Sequence, residues 1–171
     1  MLRIVLTGAE SSGKTTLTAQ LAAHFKTAWT PEFSRLYLEN LQRPYVQADL
    51  LKIAEEQLAL EEKMAAQAHR VMFLDTSFEV LKIWSEVRYG ECHPWILEQL
   101  RLRLPDLYLL CQPDLPWEFD PLRENPLDRE ALYLRYRQEL ATLGAPVFEV
   151  KGIGNERFEQ AVQVVELLLK N

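Results

Sequence analysis

The chain has 171 residues, 26% charged and 48% hydrophobic, which is typical of one globular domain. Its formal net charge of −6 argues against a nucleic-acid partner, and Cys92 and Cys111 are too few for a disulfide framework. The absence of a signal peptide and of an apolar stretch long enough to span a bilayer predicts a cytoplasmic protein without membrane association, in one domain over residues 1–171.

The first predicted strand, residues 2–7, leads into a glycine-rich loop and then a helical pattern from about 13 to 24. The loop matches the phosphate-binding motif G-x-x-x-x-G-K-[ST], which requires this strand–loop–helix context. Backbone N–H groups and the positive helix end converge there on an anion. We expect Lys14 to reach the β- and γ-phosphates of ATP and the Thr15 hydroxyl to ligate Mg²⁺. The predicted ATP-binding residues are Gly8, Glu10, Ser11, Ser12, Gly13, Lys14, Thr15, Thr16 and, further along the chain, Arg129.

Strands and helices then alternate along the chain. Further strands are predicted at 27–29, 71–74, 107–111 and 147–150, and further helices at 32–40, 45–69, 78–89, 95–103 and 155–169. Two of the strands are wholly apolar, as parallel strands buried on both faces should be. The pattern predicts the α/β class, with a doubly wound five-stranded parallel sheet of the P-loop NTPase/kinase type. Ligands bind at the carboxyl ends of the strands in such a sheet.

Asp75 stands at the end of the third predicted strand, residues 71–74, which is apolar. P-loop enzymes carry a second acidic group at this position. Asp75 could hold Mg²⁺ or accept the proton of an attacking hydroxyl, so we predict Lys14 and Asp75 as catalytic residues and Thr15 and Asp75 as metal ligands. The alternative is that Asp75 caps the following helix, in competition with Thr76 and Ser77.

Glu32 and Arg35 follow the second strand on the first turn of a helix, at the predicted acceptor side. A carboxylate there can bind ribose hydroxyls or act as base, with the arginine orienting it. The alternative is a glutamate that interacts with the helix dipole and pairs with the arginine three residues later. Among the aromatic residues, Trp29, Phe33 and Trp117 lie nearest the predicted site and could stack on a flat base.

Four prolines, with charges and aromatics between them, interrupt the pattern after the fourth strand. This segment, about 112–130, stands where a P-loop kinase carries a lid over the triphosphate; a solvated loop is the alternative. Arg123 is the first candidate for a catalytic arginine in such a lid, and Arg129 is the reserve.

Other P-loop classes lack support in the sequence. A GTPase requires an [NT]-K-x-D element, which is absent, and Phe78 occupies the glycine position of a D-x-x-G switch. A remodelling ATPase would carry Asp-Glu at the end of the third strand, but Thr76 follows Asp75. A small-molecule kinase remains.

Several blocks, in order along the chain, resemble the ribosylnicotinamide kinase domain of the NadR family. They are Gly8 to Leu17, Ala28-Trp29 with Glu32-Phe33-Ser34-Arg35, Phe73 to Thr76, Tyr89-Gly90 with His93-Pro94, and Trp117 with Asp120 and Leu122-Arg123. The resemblance implies ATP- and Mg²⁺-dependent phosphorylation of the 5′-hydroxyl of nicotinamide riboside. It also implies substrate contacts by Trp29, Glu32, Phe33, Arg35, Asp75, Trp117 and Asp120.

The chain departs from the family pattern in two respects. Thr30-Pro31 is an insertion that could displace Trp29 from a stacking position, and Pro121 replaces a more flexible lid residue. We expect neither a DNA-binding helix-turn-helix nor an adenylyltransferase domain. The alternatives to a riboside kinase are a deoxynucleoside or nucleotide kinase and a non-catalytic ATP-sensing module. The sequence does not indicate the oligomeric state.

Overall fold

The computed structural model describes residues 1–118 and 128–170. The strands of this part are β1 (Leu2–Thr7), β2 (Trp29–Thr30), β3 (Val71–Asp75), β4 (Leu107–Cys111) and β5 (Val147–Val150). The helices are α1 (Lys14–Phe25), α2 (Phe33–Asn40), α3 (Gln47–Ala65), α4 (Phe78–Tyr89), α5 (Pro94–Leu102), α6 (Arg129–Leu143) and α7 (Asn155–Lys170).

The five described strands form one parallel sheet in the order β2-β3-β1-β4-β5. The central strand, β1, pairs with β3 on one side and with β4 on the other. Leu6 is in register with Asp75, so the loop that follows β1 and the carboxylate that ends β3 emerge side by side. The predicted doubly wound parallel fold is confirmed.

Helices cover both faces of the sheet because alternate residues of each buried strand face opposite layers. Ile4 and Leu6 pack against α1 and α7, whereas Val5 packs against residues of α4 and α6. A third cluster joins α3, α4 and α5 at one side of the molecule. Two layers of helices therefore hold the carboxyl edge of the sheet in place.

Two predicted elements differ from those observed by more than one residue at an end. The second strand is two residues long and lies at 29–30 rather than 27–29, because Thr27 turns its hydroxyl to the neighbouring strand and donates to the Val71 carbonyl at 2.7 Å. The long helix ends at Ala65 instead of residue 69. The His69 N–H donates to Thr27 Oγ1 at 3.0 Å, and Arg70 has φ 56°, so the residues after Ala65 form the turn into β3.

Candidate active site

The phosphate-binding motif forms the tight loop between β1 and α1 that its spacing predicts. Gly8 has φ 134°, and a Cβ there would lie 2.6 Å from the Cys111 carbonyl oxygen on β4. Gly13 is the N-cap of α1 at φ 76°, and it has no side chain that could occupy the first helical N–H groups. Those N–H groups therefore point into the space above the loop, as an anion site requires.

The side chains of the loop reinforce this shape from within. The buried Ser12 hydroxyl donates to the Ala9 carbonyl at 2.7 Å, and Lys14 Nζ donates to the same oxygen at 2.9 Å. Lys14 thus folds back over the loop that it belongs to, with its ammonium group at the cleft. Glu10, Ser11 and Thr16 also line this cleft.

Asp75 and Thr15 meet directly. Thr15 Oγ1 donates to Asp75 Oδ2 at 2.5 Å, although 60 residues separate them in sequence. Asp75 is 1% exposed, and within the described part of the chain its Oδ1 accepts no hydrogen bond. Burial, together with the negative charge of Glu32, raises the pKa of Asp75 to about 6, while Lys14, Thr15 and Arg35 act in the opposite direction.

The pair fits a divalent cation such as Mg²⁺. A hydroxyl oxygen, a carboxylate oxygen and a second, unpartnered carboxylate oxygen are the hard donors that Mg²⁺ prefers. The alternative role for Asp75 as a helix cap is not what the structure shows, because Ser77 is the N-cap of α4 and makes no side-chain capping bond.

A buried network holds the turn that follows Asp75. Thr76 takes φ 64°, which is uncommon for a β-branched residue, and its N–H donates to the Leu6 carbonyl at 2.9 Å. Ser77 Oγ donates to Glu61 at 2.8 Å, and Arg3 donates to the other oxygen of the same carboxylate at 2.8 Å. The turn is therefore fixed by contacts from both β1 and α3.

The acceptor side of the site begins at the N-terminus of α2. Glu32 is the N-cap residue and accepts a hydrogen bond from Ser34 Oγ at 2.7 Å. Arg35, one turn away, makes an ion pair with Glu39 at 3.7 Å. Glu32 and Arg35 line the same cleft as Thr15, the hydrogen-bonding partner of Asp75.

A cleft of about 1020 Å³ joins the two halves of the site. It runs from the loop past Glu32 and Arg35 to a far end formed by the segment between α2 and α3 and by one face of α4. The lining residues at that far end include Leu38, Leu41, Arg43, Pro44, Tyr45, Val80, Ile83, Trp84, Val87 and Arg88.

The sequence analysis did not predict that Tyr45 and Trp84 line the cleft. Their rings lie 5.1 Å apart in an edge-to-face arrangement, and Trp84 Nε1 donates to the Tyr45 hydroxyl at 3.1 Å. A usable signal was present: Val80, Trp84 and Arg88 are spaced four apart on the helix that follows Asp75, so they share one face near the site.

None of the three predicted stacking residues, Trp29, Phe33 and Trp117, is among the described residues that line the cleft. Trp29 packs against the core on the α1 face and lines a separate groove of about 440 Å³ beside the end of α1. Phe33 packs among the residues of α3, α4 and α5, and its N–H donates to Gln57 Oε1 at 2.8 Å.

The segment after β4 lies against the phosphate loop. Ser11 Oγ donates to the Pro116 carbonyl at 3.4 Å and accepts from the Glu118 N–H at 3.1 Å. Arg129 donates to the Ser11 and Leu115 carbonyls at 3.3 and 2.9 Å, and its guanidinium group lies 5.8 Å from the ring centre of Trp117. The predicted site residues Asp120 and Arg123 lie outside the described residues, as does part of the predicted lid.

Comparison with protein families adds the decisive observation. Residues 3–157 match a family described as AAA domain. The chain belongs to this family. The expected resemblance to NadR is also confirmed: the chain is similar to the trifunctional NAD biosynthesis/regulator protein NadR of Salmonella typhimurium, with 28% identity over 136 residues. The match covers 75% of this chain and 33% of NadR, so the chain spans about a third of the length of that relative.

Solved structures agree with the fold of this AAA-domain chain. A NadR protein in complex with NR superposes with a TM-score of 0.80 at 20% identity, covering 99% of this chain and 52% of that one. Thymidylate kinase from Candida albicans superposes with a TM-score of 0.72 at 15% identity, covering 98% and 92%. In the described residues, no helix has the length and apolar character needed to cross a membrane.

Proposed function

We propose that this AAA-domain chain transfers the γ-phosphoryl group of ATP to the 5′-hydroxyl of a riboside, with nicotinamide riboside as the first candidate. The observation that carries the proposal is the direct pairing of Thr15, which lines the cleft, with the buried Asp75 behind it, in a cleft that continues to Glu32 and Arg35. The cleft thus offers room for a donor at the phosphate loop and for an acceptor beside Glu32 and Arg35. The similarity to NadR supports the choice of riboside.

Each half of the site has a defined task in this proposal. The N–H groups of the loop and Lys14 bind the triphosphate, and Thr15 and Asp75 would hold Mg²⁺, which neutralises phosphate charge when bound. Glu32 and Arg35 orient the sugar hydroxyls of the acceptor. Either Asp75 or Glu32 receives the proton of the attacking hydroxyl. Positioning and charge neutralisation contribute most to phosphoryl transfer, so the base has the smaller effect.

The remaining predicted roles belong to the proposal as well. Arg129 approaches the triphosphate from α6, while Trp117, Asp120 and Arg123 belong to the predicted lid. We also propose that residues 1–171 form one domain and that the protein acts in the cytoplasm.

Of the two described arginines that line the far end of the cleft, Arg43 is neutralised by a carboxylate. It donates to both oxygens of Asp49 at 2.7 and 2.8 Å. The hydrogen bonds from Arg43 hold the pKa of Asp49 well below its usual range, so the carboxylate stays charged and neutralises the arginine. The aromatic pair Tyr45–Trp84 offers surface for a flat base instead. A monophosphate acceptor, as in a nucleotide kinase, would have to pair with Arg88, the other described arginine at this end of the cleft.

An acceptor panel tests the proposal. The protein is incubated with MgATP and with nicotinamide riboside, other ribosides, deoxynucleosides or nucleoside monophosphates, and ADP release is followed. We expect turnover with nicotinamide riboside and its loss in Lys14→Ala, with Lys52→Ala on the exposed face of α3 as the matched control. Turnover only with thymidine or a monophosphate would show that the acceptor is a deoxynucleoside or a nucleotide instead of a riboside. ATP binding without acceptor-dependent ADP would contradict kinase activity and favour an ATP sensor.

A further inference from the structure

Arg157 is a buried arginine directly behind the phosphate loop. It is the third residue of α7, it is 4% exposed, and of the residues described it is not among those that line the cleft. One of its guanidinium nitrogens, Nη1, donates to the Ser12 carbonyl. The other, Nη2, donates to the Gln112 carbonyl and to Asp114 Oδ1, both at 2.6 Å. The side chain thus joins the loop to the end of β4.

The contact with Ser12 determines the direction of an N–H group in the loop. The Ser12 carbonyl and the Gly13 N–H belong to one planar trans peptide, so they point in opposite directions. Arg157 binds the carbonyl from behind, which directs the Gly13 N–H toward the space that the triphosphate would occupy. A positive charge on the carbonyl also polarises the peptide, which strengthens its N–H as a donor to an anion.

The packing around Gly13 is tight enough to hold this arrangement. A Cβ on Gly13 would lie 3.1 Å from Arg157 Nη1 and 2.7 Å from Leu115 Cδ1. Asp114 completes the brace, because its Oδ2 accepts the Gly152 N–H at 2.5 Å while its Oδ1 accepts from Arg157. The loops after β1 and β4 therefore meet at a single guanidinium group, and Asp114 links the loop after β5 to it.

We propose that Arg157 is a positioning residue for the triphosphate: it fixes the Ser12–Gly13 peptide so that the loop is formed before ATP binds. This inference rests on the ATP site of the proposed function but not on the identity of the acceptor. A residue that only stabilised the fold would affect both halves of the cleft alike. Arg157 affects the donor half selectively, because it contacts the phosphate loop and lies away from Glu32 and the far end of the cleft.

Binding measurements on two variants test the proposal. Arg157→Lys keeps the charge but cannot bridge three oxygens, and Arg157→Met removes the charge while keeping much of the length. Affinity is measured by calorimetry for a non-hydrolysable ATP analogue with Mg²⁺ and for inorganic tripolyphosphate with Mg²⁺. We expect both affinities to fall by roughly 10- to 100-fold for Arg157→Met, because this is the loss that removal of one charged hydrogen bond produces. The loss for Arg157→Lys should be smaller. Acceptor KM should stay close to wild type.

Arg103→Lys provides the matched control. Arg103 is also paired with a carboxylate, Glu62 at 2.8 Å, but outside the cleft, and its replacement should leave the affinity for the ATP analogue unchanged. If Arg157→Met does not fold, Arg157→Lys and Asp114→Asn decide the question, each with its unfolding midpoint measured.

Three outcomes are distinguishable. Selective loss of analogue and tripolyphosphate affinity in a folded variant supports the proposal. Wild-type affinity for both ligands in folded Arg157→Lys and Asp114→Asn would overturn it, as would an equal loss of donor and acceptor binding. Absence of turnover with every acceptor, despite tight binding of the analogue by the wild type, would remove the proposed kinase activity and leave the role of Arg157 in place.

Discussion

Thr15 and Asp75 are joined by a hydrogen bond of 2.5 Å, from Thr15 Oγ1 to Asp75 Oδ2. The contact links the first turn of α1 to the end of β3. The two predicted metal ligands thus lie at hydrogen-bonding distance from each other. The hydroxyl is the group that both the hydrogen bond and metal ligation require, so it can be tested separately from the bulk of the threonine side chain.

Replacing Thr15 by valine should abolish most activity, and replacing it by serine should not. Valine keeps the shape but lacks the oxygen, so we expect kcat/KM for MgATP to fall by about 100-fold or more, as for other single transition-state contacts. Serine keeps the hydroxyl and should remain close to wild type. Steady-state kinetics at varied Mg²⁺ concentration provide the measurement. Equal activity of the valine and serine variants would exclude the hydroxyl as a ligand.

Glu32→Gln should impair use of the acceptor without impairing use of ATP. The carboxylate accepts a hydrogen bond from Ser34 and faces the acceptor part of the cleft, and a charged hydrogen bond to a sugar hydroxyl corresponds to roughly a 10- to 100-fold loss in kcat/KM for the acceptor. Initial rates at varied acceptor and at varied ATP separate the two effects. Glu39→Gln is the control, because Glu39 pairs with Arg35 on the exposed side of the same helix. A matching loss in the control would assign the effect to Arg35.

Gly8→Ala should destabilise the fold more than Gly144→Ala does. Both glycines have positive φ, 134° and 79°, so alanine is strained at each by roughly 1–2 kcal/mol. At Gly144 the added Cβ meets no described atom within 4 Å, whereas at Gly8 it would lie 2.6 Å from the Cys111 carbonyl oxygen. We expect Gly8→Ala to cost a further 1–3 kcal/mol or so in the free energy of unfolding, measured in urea. Equal values for the two variants would show that β1 and β4 can separate at this point.

Glu79 should make the stability of the protein depend on pH. The side chain is fully buried, and burial, with the charge of Glu61 adding to it, raises the pKa of Glu79 from 4.5 to about 7. Since the folded-state pKa lies above the unfolded-state value, the stability contributed by the protonated carboxyl is fully present below about pH 4.5 and is lost as the pH rises through about 7.

The free energy of unfolding of the wild type should therefore fall by roughly 2–3 kcal/mol between pH 5 and pH 8 relative to Glu79→Gln. Urea unfolding at several pH values measures the difference. Glu55→Gln, on the exposed face of α3, should follow the wild type. Parallel curves for the wild type and Glu79→Gln would contradict a proton held by Glu79.

Local patterns in the sequence predicted the elements that carry the chemistry. β4 and β5 were predicted with their observed bounds because each is a short, mostly apolar run between strong breaks. The phosphate loop and Asp75 followed from motif spacing and from the position of strand ends. The sequence did not indicate that Trp29 lies outside the cleft, because β2 has only two residues. Two residues are too few for the alternation that shows which face of the sheet a side chain occupies.

Contacts between distant parts of the chain could not be predicted from such local sequence patterns. Arg157 binds a carbonyl 145 residues earlier, and its own segment appears only as an amphipathic helix. Tyr45 and Trp84 meet across 39 residues, and nothing local in either position indicates the other. Such pairs depend on how the layers pack, which the periodicity of one element does not contain.

The order of the strands gives the two halves of the site different local stability. The phosphate loop leaves β1, which is bonded on both sides, whereas Glu32 follows β2, a two-residue strand at the edge of the sheet. Backbone amides near β2 should therefore exchange with solvent faster than those of β1, since edge segments with few hydrogen bonds open at lower free energy. Mutations around β2 and α2 that change the acceptor specificity should therefore have little effect on the stability of β1, the strand that positions the phosphate loop.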